Sequence, residues 1–335
     1  MAKAGLVAIL WWKILDNRRI ANQIVRCRPT LIETMQSARI PQALREQIEE
    51  QAAAFSGAAL AEASARMSES YRAGVAPRLD SALSRAAYLV TRMPATYGAL
   101  KTAAAELGFE PESWLDLGAG PGTAAWVAQC PATLVDANAG WVDLREARRV
   151  CSDLTRLPHL EPHDVVSVCY ALNELAEKER SRVVDEAWAL ARRAVLVLEP
   201  GTMEGFRIVR EARRQLLGLG ARIQAPCPRE GECPMEEGDW CHFAVRVERS
   251  RLHRQLKGGE LSYEDEKYSF VLAIKGDAQP GAGRILRHPR VHPGLIELRV
   301  CGPEGIREEK VTKRCKEAWR AARKADWGAR WEGSR

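Results

Sequence analysis

The segment from Trp114 to Cys130 reads WLDLGAGPGTAAWVAQC and is the strongest indication of the fold. It starts as an apolar run, passes through Gly118, Gly120 and Gly122, and ends in an apolar segment suited to a helix. Glycines where a strand turns into a helix let the backbone approach a ligand that a side chain would exclude. The stretch therefore predicts a ligand-binding loop in an α/β domain.

The segments that follow continue the alternation of strand and helix. ATLVDAN (132–138), HDVVSVCYALNEL (163–175) and AVLVLEPG (194–201) have the composition of buried strands, and EKERSRVVDEAWALARRA (177–194) is an amphipathic helix. Strands that alternate with helices are typical of a parallel sheet in a doubly wound fold. We therefore predict an α/β domain, preceded by a small helical domain at residues 1–75.

The glycine loop does not match a dinucleotide fingerprint, because Thr123 stands where the third glycine of G-x-G-x-x-G would be. LDLGAGPGT (115–123) instead resembles the S-adenosylmethionine loop of Rossmann-like methyltransferases. That resemblance implies that Asp116 and the three glycines hold the cofactor, with the carboxylate near the cationic methionine end.

Three further polar residues are candidates for the same cofactor. Asp136, at the end of the next strand, is placed to accept hydrogen bonds from ribose hydroxyls. Asp153 falls in the loop expected to contact adenine, and Asn173 is expected to shape the pocket. For each acid taken alone, an ordinary helix cap or surface turn is the alternative interpretation.

The sequence assigns no catalytic residue. The segment CYALNEL (169–175) stands where exocyclic-nitrogen methyltransferases commonly carry an Asn/Asp-Pro-Pro-Tyr/Phe loop. Cys169 follows Val168 rather than the Pro or Thr that usually precedes a cytosine-methylating cysteine, so a buried strand residue is the preferred interpretation. Methyl transfer therefore stays open.

Three cysteines lie in APCPREGECPMEEGDWCHF (225–243), namely Cys227, Cys233 and Cys241. Their spacing does not match the short Cys-x-x-Cys knuckles of common zinc sites. A fourth cysteine would complete either a zinc or an iron-sulfur site. Cys301 is the candidate, because it is predicted at the mouth of a tight turn between two strands, and Cys315 is the weaker rival.

The net charge of +6 is concentrated at the C-terminus, where residues 281–335 hold 14 Lys and Arg against 7 Asp and Glu. A concentrated basic region indicates either nucleic-acid binding or a solvated surface. Packing is preferred over base stacking for Trp319 and Trp327. The residues expected to contact RNA phosphates are Arg284, Arg287, Arg290, Lys313, Arg320, Arg323 and Lys324.

Several motifs together carry a family resemblance across residues 40–330. They are YLVTRMPATYGAL (88–100), LDLGAGPGT, ALNEL (171–175), LEPGT (198–202), the cysteine cluster, YEDEKYSFVLA (263–273), RILRHPRVHPGLIELRVC (284–301) and AWRAARKADWG (318–328). The chain resembles the methyltransferase-like small-ribosomal-subunit assembly factors found in mitochondria and bacteria. The resemblance implies a 4Fe-4S cluster on Cys227, Cys233, Cys241 and Cys301, S-adenosylmethionine binding, and binding to small-subunit rRNA. An active rRNA methyltransferase and a structural zinc site are the alternatives.

The expected architecture is thus a Rossmann-like S-adenosylmethionine-dependent methyltransferase fold with two additions. Residues 1–75 form the helical domain, 76–280 the methyltransferase-like domain with its cysteine-rich insertion at 225–243, and 281–335 a basic β-hairpin and helix extension. The apolar stretch GLVAILWWKIL (5–15) is interrupted by Lys13 and resembles neither a membrane span nor a presequence. We expect a cytoplasmic protein without membrane association that is monomeric when free.

Overall fold

The computed structural model describes residues 37–333, so the start of the predicted helical domain lies outside the described residues. The strands are β1 (Ser37–Ala38), β2 (Trp114–Leu117), β3 (Ala132–Asp136), β4 (Arg148–Cys151), β5 (His163–Cys169), β6 (Ala191–Pro200), β7 (Arg222–Ala225), β8 (Phe243–Glu248), β9 (Tyr263–Ile274), β10 (Arg284–Ile285), β11 (Arg290–His292), β12 (Leu295–Gly302) and β13 (Gly305–Thr312). The helices are α1 (Gln42–Ala53), α2 (Gly57–Arg72), α3 (Ala82–Thr91), α4 (Met93–Ala104), α5 (Thr123–Ala128), α6 (Glu177–Leu190), α7 (Met203–Gly218), α8 (Arg251–Lys257) and α9 (Lys316–Ala322).

The central sheet has the strand order β1-β8-β9-β6-β5-β2-β3-β4, with β7 paired to β9. Strands β2 to β6 run parallel, and β9 is antiparallel to β6. The chain builds outward from β2 to β4 and then returns to β5 on the other side of β2. That reversal is a topological switch point, where open α/β sheets bind ligands beyond the carboxyl ends of their strands.

Helices cover both faces of the sheet. On one face α4 and α5 pack against residues such as Trp114 and Leu196. On the other face α6 and α7 pack against the alternate positions, such as Leu115 and Val197. Burial on both faces explains why the parallel strands read as continuous apolar runs in the sequence. The predicted Rossmann-like methyltransferase fold is confirmed.

The N-terminal helices share their core with the main domain. Leu44 of α1 and Leu60 of α2 lie in one buried cluster with Leu89 of α3 and Leu256 of α8. Strand β1 also adds to the central sheet by pairing in parallel with β8. The boundary at residue 75 stays a prediction, since the described helices on its two sides are packed together.

The C-terminal extension is a four-stranded antiparallel sheet, in the order β10-β12-β11 with β13 on β12, followed by α9. Gly302 pairs with Gly305 and Cys301 with Ile306, which makes the predicted tight turn with Cys301 at its mouth. The extension has its own apolar cluster. A second cluster joins Cys301 to Phe206 of α7, so the extension also packs on the main domain.

Within residues 37–333, no helix combines the length and the apolar character that crossing a membrane requires.

Candidate functional site

The glycine loop lies directly after β2, at the switch point of the sheet. Gly118, Gly120 and Gly122 all have left-handed backbone angles, with φ of 79°, 50° and 85°. A Cβ on Gly118 would stand 2.5 Å from the Cβ of Ala171, which follows β5. The absence of a side chain at this position therefore lets the loops after β2 and β5 lie against each other.

Asp116 lies beneath the loop, with only 3% of its surface exposed. It accepts a hydrogen bond from the Ser167 hydroxyl, whose oxygen accepts another from Trp114 Nε1 at 2.7 Å. Burial raises the pKa of Asp116 to about 7 and the charge of Asp136 adds to this, although the Ser167 hydrogen bond opposes it. A ligand with a cationic group nearby would favour the ionised form of this carboxyl.

Asp136, at the end of β3, holds the glycine loop in place by hydrogen bonding. Its Oδ2 accepts a hydrogen bond from the Gly120 N–H at 2.7 Å, and its Oδ1 accepts one from the Asn138 N–H at 2.8 Å. An ionised carboxylate has about four acceptor positions, so two are left for hydroxyl groups of a ligand.

Asp153 is exposed and caps the 3₁₀ turn Leu154–Arg156. It accepts hydrogen bonds from the N–H and the hydroxyl of Thr155, at 2.7 and 2.8 Å. This is the cap that the sequence left open as the alternative interpretation. The turn nevertheless borders the loop, since Leu154 Cδ1 lies 3.4 Å from the position of a Cβ on Gly118.

Asn173 is held by a residue that the sequence analysis missed. Its Nδ2 donates to Glu199 Oε2 at 2.6 Å, and the Leu172 N–H donates to Glu199 Oε1 at 2.9 Å. Burial raises the pKa of Glu199 to about 8. The available signal was a glutamate within the apolar strand segment LVLEP, where an acid needs a partner.

A second residue that the sequence did not reveal as part of the site lies directly after β5. Tyr170 has a positive φ of 56°, which is uncommon for a bulky residue and is associated with functional sites. Its hydroxyl donates to Glu266 at 2.9 Å, and Arg92 lies 3.7 Å from the same carboxylate. Arg92 also stands 5.4 Å from the ring centre of Tyr71. These side chains bring the N-terminal helices to the edge of the switch point.

The four cysteines proposed as ligands line a single cavity between the main domain and the extension. Cys227 and Cys233 come from the loop after β7, Cys241 from the residues before β8, and Cys301 from β12. All four are free thiols. Cys315 instead packs in the apolar cluster of the extension. The fold thus brings together the four sequence-predicted ligands and leaves their rival elsewhere.

The cavity disfavours ionised thiolates that have no positive charge nearby to neutralise them. Burial raises the pKa of Cys227, Cys241 and Cys301, in the last case to about 12, and the mutual charges of the cysteines add to the effect. Thiolates in this place would therefore need a cationic group to bind them. Among the described residues, no group of three or more His, Cys, Asp or Glu side chains is positioned around a single metal ion.

The candidate RNA contacts near the turn are engaged within the protein. Arg284 is 4% exposed, and it donates to Glu106 Oε1 at 2.8 Å and to the Pro226 carbonyl at 3.1 Å. This burial corrects the expectation for Arg284, whose guanidinium is not presented to a phosphate. Arg287 pairs with Asp239, and the exposed Arg290 lies 3.3 Å from Glu297.

The remaining basic candidates lie on or beside α9. Lys313, Arg320, Arg323 and Lys324 are all exposed. Trp319 packs in the apolar cluster of the extension. Trp327 contacts the rings of His242 and His288 edge-on, with centroids 4.8 and 5.0 Å away. Both tryptophans therefore pack against protein, while the four cations form a basic surface that we call the α9 surface.

The strand order and the loop at the switch point define a protein with the methyltransferase fold. Residues 82–159 and 133–332 match the family model described as mitochondrial small ribosomal subunit Rsm22. The chain belongs to the Rsm22 family, which confirms the family resemblance seen in its motifs.

The sequence identity between this chain and individual relatives is low. The chain is 23% identical over 286 residues to the human protein named ribosome assembly protein METTL17, mitochondrial, covering 72% of this chain and 61% of that protein. It is 28% identical over 226 residues to Rsm22-cox11 tandem protein 2, mitochondrial, of Schizosaccharomyces pombe, covering 52% and 30%. The chain therefore spans less than two thirds of these relatives.

Among solved structures, magnesium protoporphyrin IX methyltransferase from Synechocystis PCC 6803 with bound SAH has a TM-score of 0.37 and 12% identity to this chain. The match covers 62% of this chain and 93% of that one. The fold assignment rests on the strand order rather than on this similarity.

Proposed function

We propose that this protein is an assembly factor of the small ribosomal subunit that binds S-adenosylmethionine and rRNA and carries a 4Fe-4S cluster. The observation that carries the proposal is the cavity in which Cys227, Cys233, Cys241 and Cys301 meet between the methyltransferase fold and the basic extension. Membership of the Rsm22 family and the name of the human relative support the ribosomal role.

The family resemblance of the motifs, rather than the cavity itself, favours an iron-sulfur cluster over zinc. Four cysteine thiolates are the usual ligand set of a 4Fe-4S cluster. Four thiolates also complete a zinc site, so the ligand set alone leaves both metals open.

The cluster would serve a structural purpose. Cys227, Cys233 and Cys241 belong to the insertion of the main domain, whereas Cys301 belongs to the extension. A bound cluster would supply metal-thiolate bonds that join the two parts. Because such binding energy is partly folding energy, the cluster would fix the α9 surface relative to the glycine loop.

We expect the α9 surface to supply phosphate contacts. The double variant Arg320→Gln/Arg323→Gln should weaken binding to small-subunit rRNA and reduce the slope of log K against log salt by about 1.4, since each lost contact to single-stranded RNA removes about 0.7. Binding measured by fluorescence anisotropy between low and high salt tests this. Lys178→Gln/Arg182→Gln on α6 is the matched control, because both its residues are exposed on the main domain. Equal salt slopes for the two double variants would contradict the assignment.

Affinity for S-adenosylmethionine should depend on pH through Asp116. Because the pKa of Asp116 is about 7 without ligand, binding a cation below that pH requires loss of a proton. Affinity should fall by up to about tenfold per pH unit below pH 7 and level off above it. Calorimetry between pH 5.5 and 8.5 measures this slope. Asp116→Asn should bind more weakly at pH 8.5 and show a flat profile, whereas an unchanged slope in this variant would assign the dependence elsewhere.

A further inference from the structure

Two arginines on the wall of the cysteine cavity have side-chain donors that the protein does not use. Arg213 of α7 is 5% exposed, and its Nη2 donates to the carbonyls of Arg229 and Gly231 at 2.8 and 2.9 Å. The Nε atoms of Arg213 and Arg229 are both buried without a hydrogen-bond partner among the described residues. Both side chains line the cavity with the four cysteines.

A buried guanidinium donor without an acceptor is unfavourable, and a buried charge is more so. The energetic cost would be removed by an anionic acceptor inside the cavity.

Arg213 occupies an unusual position on its helix for a charged residue. It lies on the apolar face of α7, between Val209 and Leu216, where an aliphatic side chain would ordinarily pack. Lys and Arg are almost never fully buried unless they are paired. The Nη2 group of Arg213 is paired with two carbonyls, so its Nε is the donor left for a partner inside the cavity.

We propose that Arg213 and Arg229 donate hydrogen bonds to the sulfur atoms of a cluster held by the four cysteines and make its reduction easier by offsetting its negative charge. This inference rests on the proposed cluster. Hydrogen bonds to sulfur and net charge both set the reduction potential of iron-sulfur clusters. The two arginines are thus positioning residues that tune and retain the cluster rather than ligands of iron.

The test compares protein purified without oxygen as the wild type, Arg213→Met, Arg229→Met and the control Arg214→Met. Arg214 is the exposed neighbour of Arg213 on the same helix. Iron and acid-labile sulfide are measured first, followed by the reduction potential in a dye-mediated titration and the rate of iron loss to a chelator.

Each of the two cavity variants should lower the equilibrium constant for reduction by about tenfold, which corresponds to 59 mV for one electron. Each should also lose iron several-fold faster than the wild type, while Arg214→Met matches the wild type. Arg229→Met keeps the test valid if Arg213→Met fails to fold, because the Arg213 side chain also supports the insertion.

Two different failures can be told apart. Wild-type protein without iron and sulfide would overturn the proposed cluster. Wild-type protein with a cluster, but with unchanged potential and iron loss in both cavity variants, would overturn only the role of the arginines. Failure of both cavity variants to assemble a cluster that Arg214→Met retains would support that role.

Discussion

Replacing Cys301 with serine is expected to abolish the cluster and release the C-terminal extension from the main domain. Cys301 is the one candidate ligand that the extension contributes, and it is buried against Phe206 and Met235 of the main domain. Loss of a structural metal tie removes folding energy. We expect the melting temperature to fall by roughly 10 °C. In a domain of this size, each kcal/mol of lost stability lowers the melting temperature by about 2–4 °C, and the tie supplies several kcal/mol.

The expected loss is measured by iron and sulfide content, by thermal unfolding and by limited proteolysis of the extension. Cys315→Ser is the matched control, since Cys315 lies in the same extension but packs in its own apolar cluster. It should keep the metal content and the protease resistance of the wild type. A Cys301→Ser protein that retains its full iron, or a Cys315→Ser protein that loses it, would contradict the ligand assignment.

The second large effect is expected from Gly118→Ala. The added Cβ would stand 2.5 Å from the Cβ of Ala171, and the residue would have to keep a φ of 79°. Residues held in such backbone regions cost of order 1–3 kcal/mol. The clash adds to this because the loops after β2 and β5 must move apart. We expect S-adenosylmethionine affinity to fall by at least about 100-fold, corresponding to about 3 kcal/mol.

Gly220→Ala separates backbone strain from the clash. Gly220 has a φ of 85°, but a Cβ there would meet nothing within 4 Å. The control should lose some stability and bind the cofactor as the wild type does. Calorimetric titration and thermal unfolding of both variants measure the two effects. Equal affinity in Gly118→Ala and the wild type would mean that the cofactor does not use this loop.

The features that follow from local pattern were predictable from the sequence. The glycine loop, the alternation of strands and helices, and the tight turn beside Cys301 each depend on residues close in the chain. Strong apolar runs and turn residues define such elements with little tertiary information. Gly118 and Ala171 lie against each other because β2 and β5 are neighbours in the parallel sheet.

Side-chain partners across long separations were less predictable. Arg284 looked like a phosphate contact because it stands in a basic segment, but its acidic partner Glu106 is 178 residues away. The sequence shows the charge of a residue and not what it pairs with. Tyr170 was missed for a similar reason, because its importance comes from its contact with Glu266, whereas Glu199 carried a signal as an acid within an apolar strand.

For Arg213, the sequence did contain a signal that the residue is unusual. Its place in the apolar stripe of α7, three and four residues from Leu216 and Val209, contradicts the helical pattern. Such local conflicts with the hydrophobic pattern are expected at functional sites. The signal identifies the residue, whereas its proximity to four cysteines required the fold.

Metal and sulfide analysis of the wild-type protein, purified without oxygen and recorded with its visible spectrum, is the decisive test of the proposed iron-sulfur cluster. We expect about four iron and four acid-labile sulfide per chain, with the broad visible absorption of an iron-sulfur cluster. One zinc per chain without sulfide would contradict the cluster while leaving a metal tie at the four cysteines. Neither metal in folded protein would contradict the role assigned to the cavity.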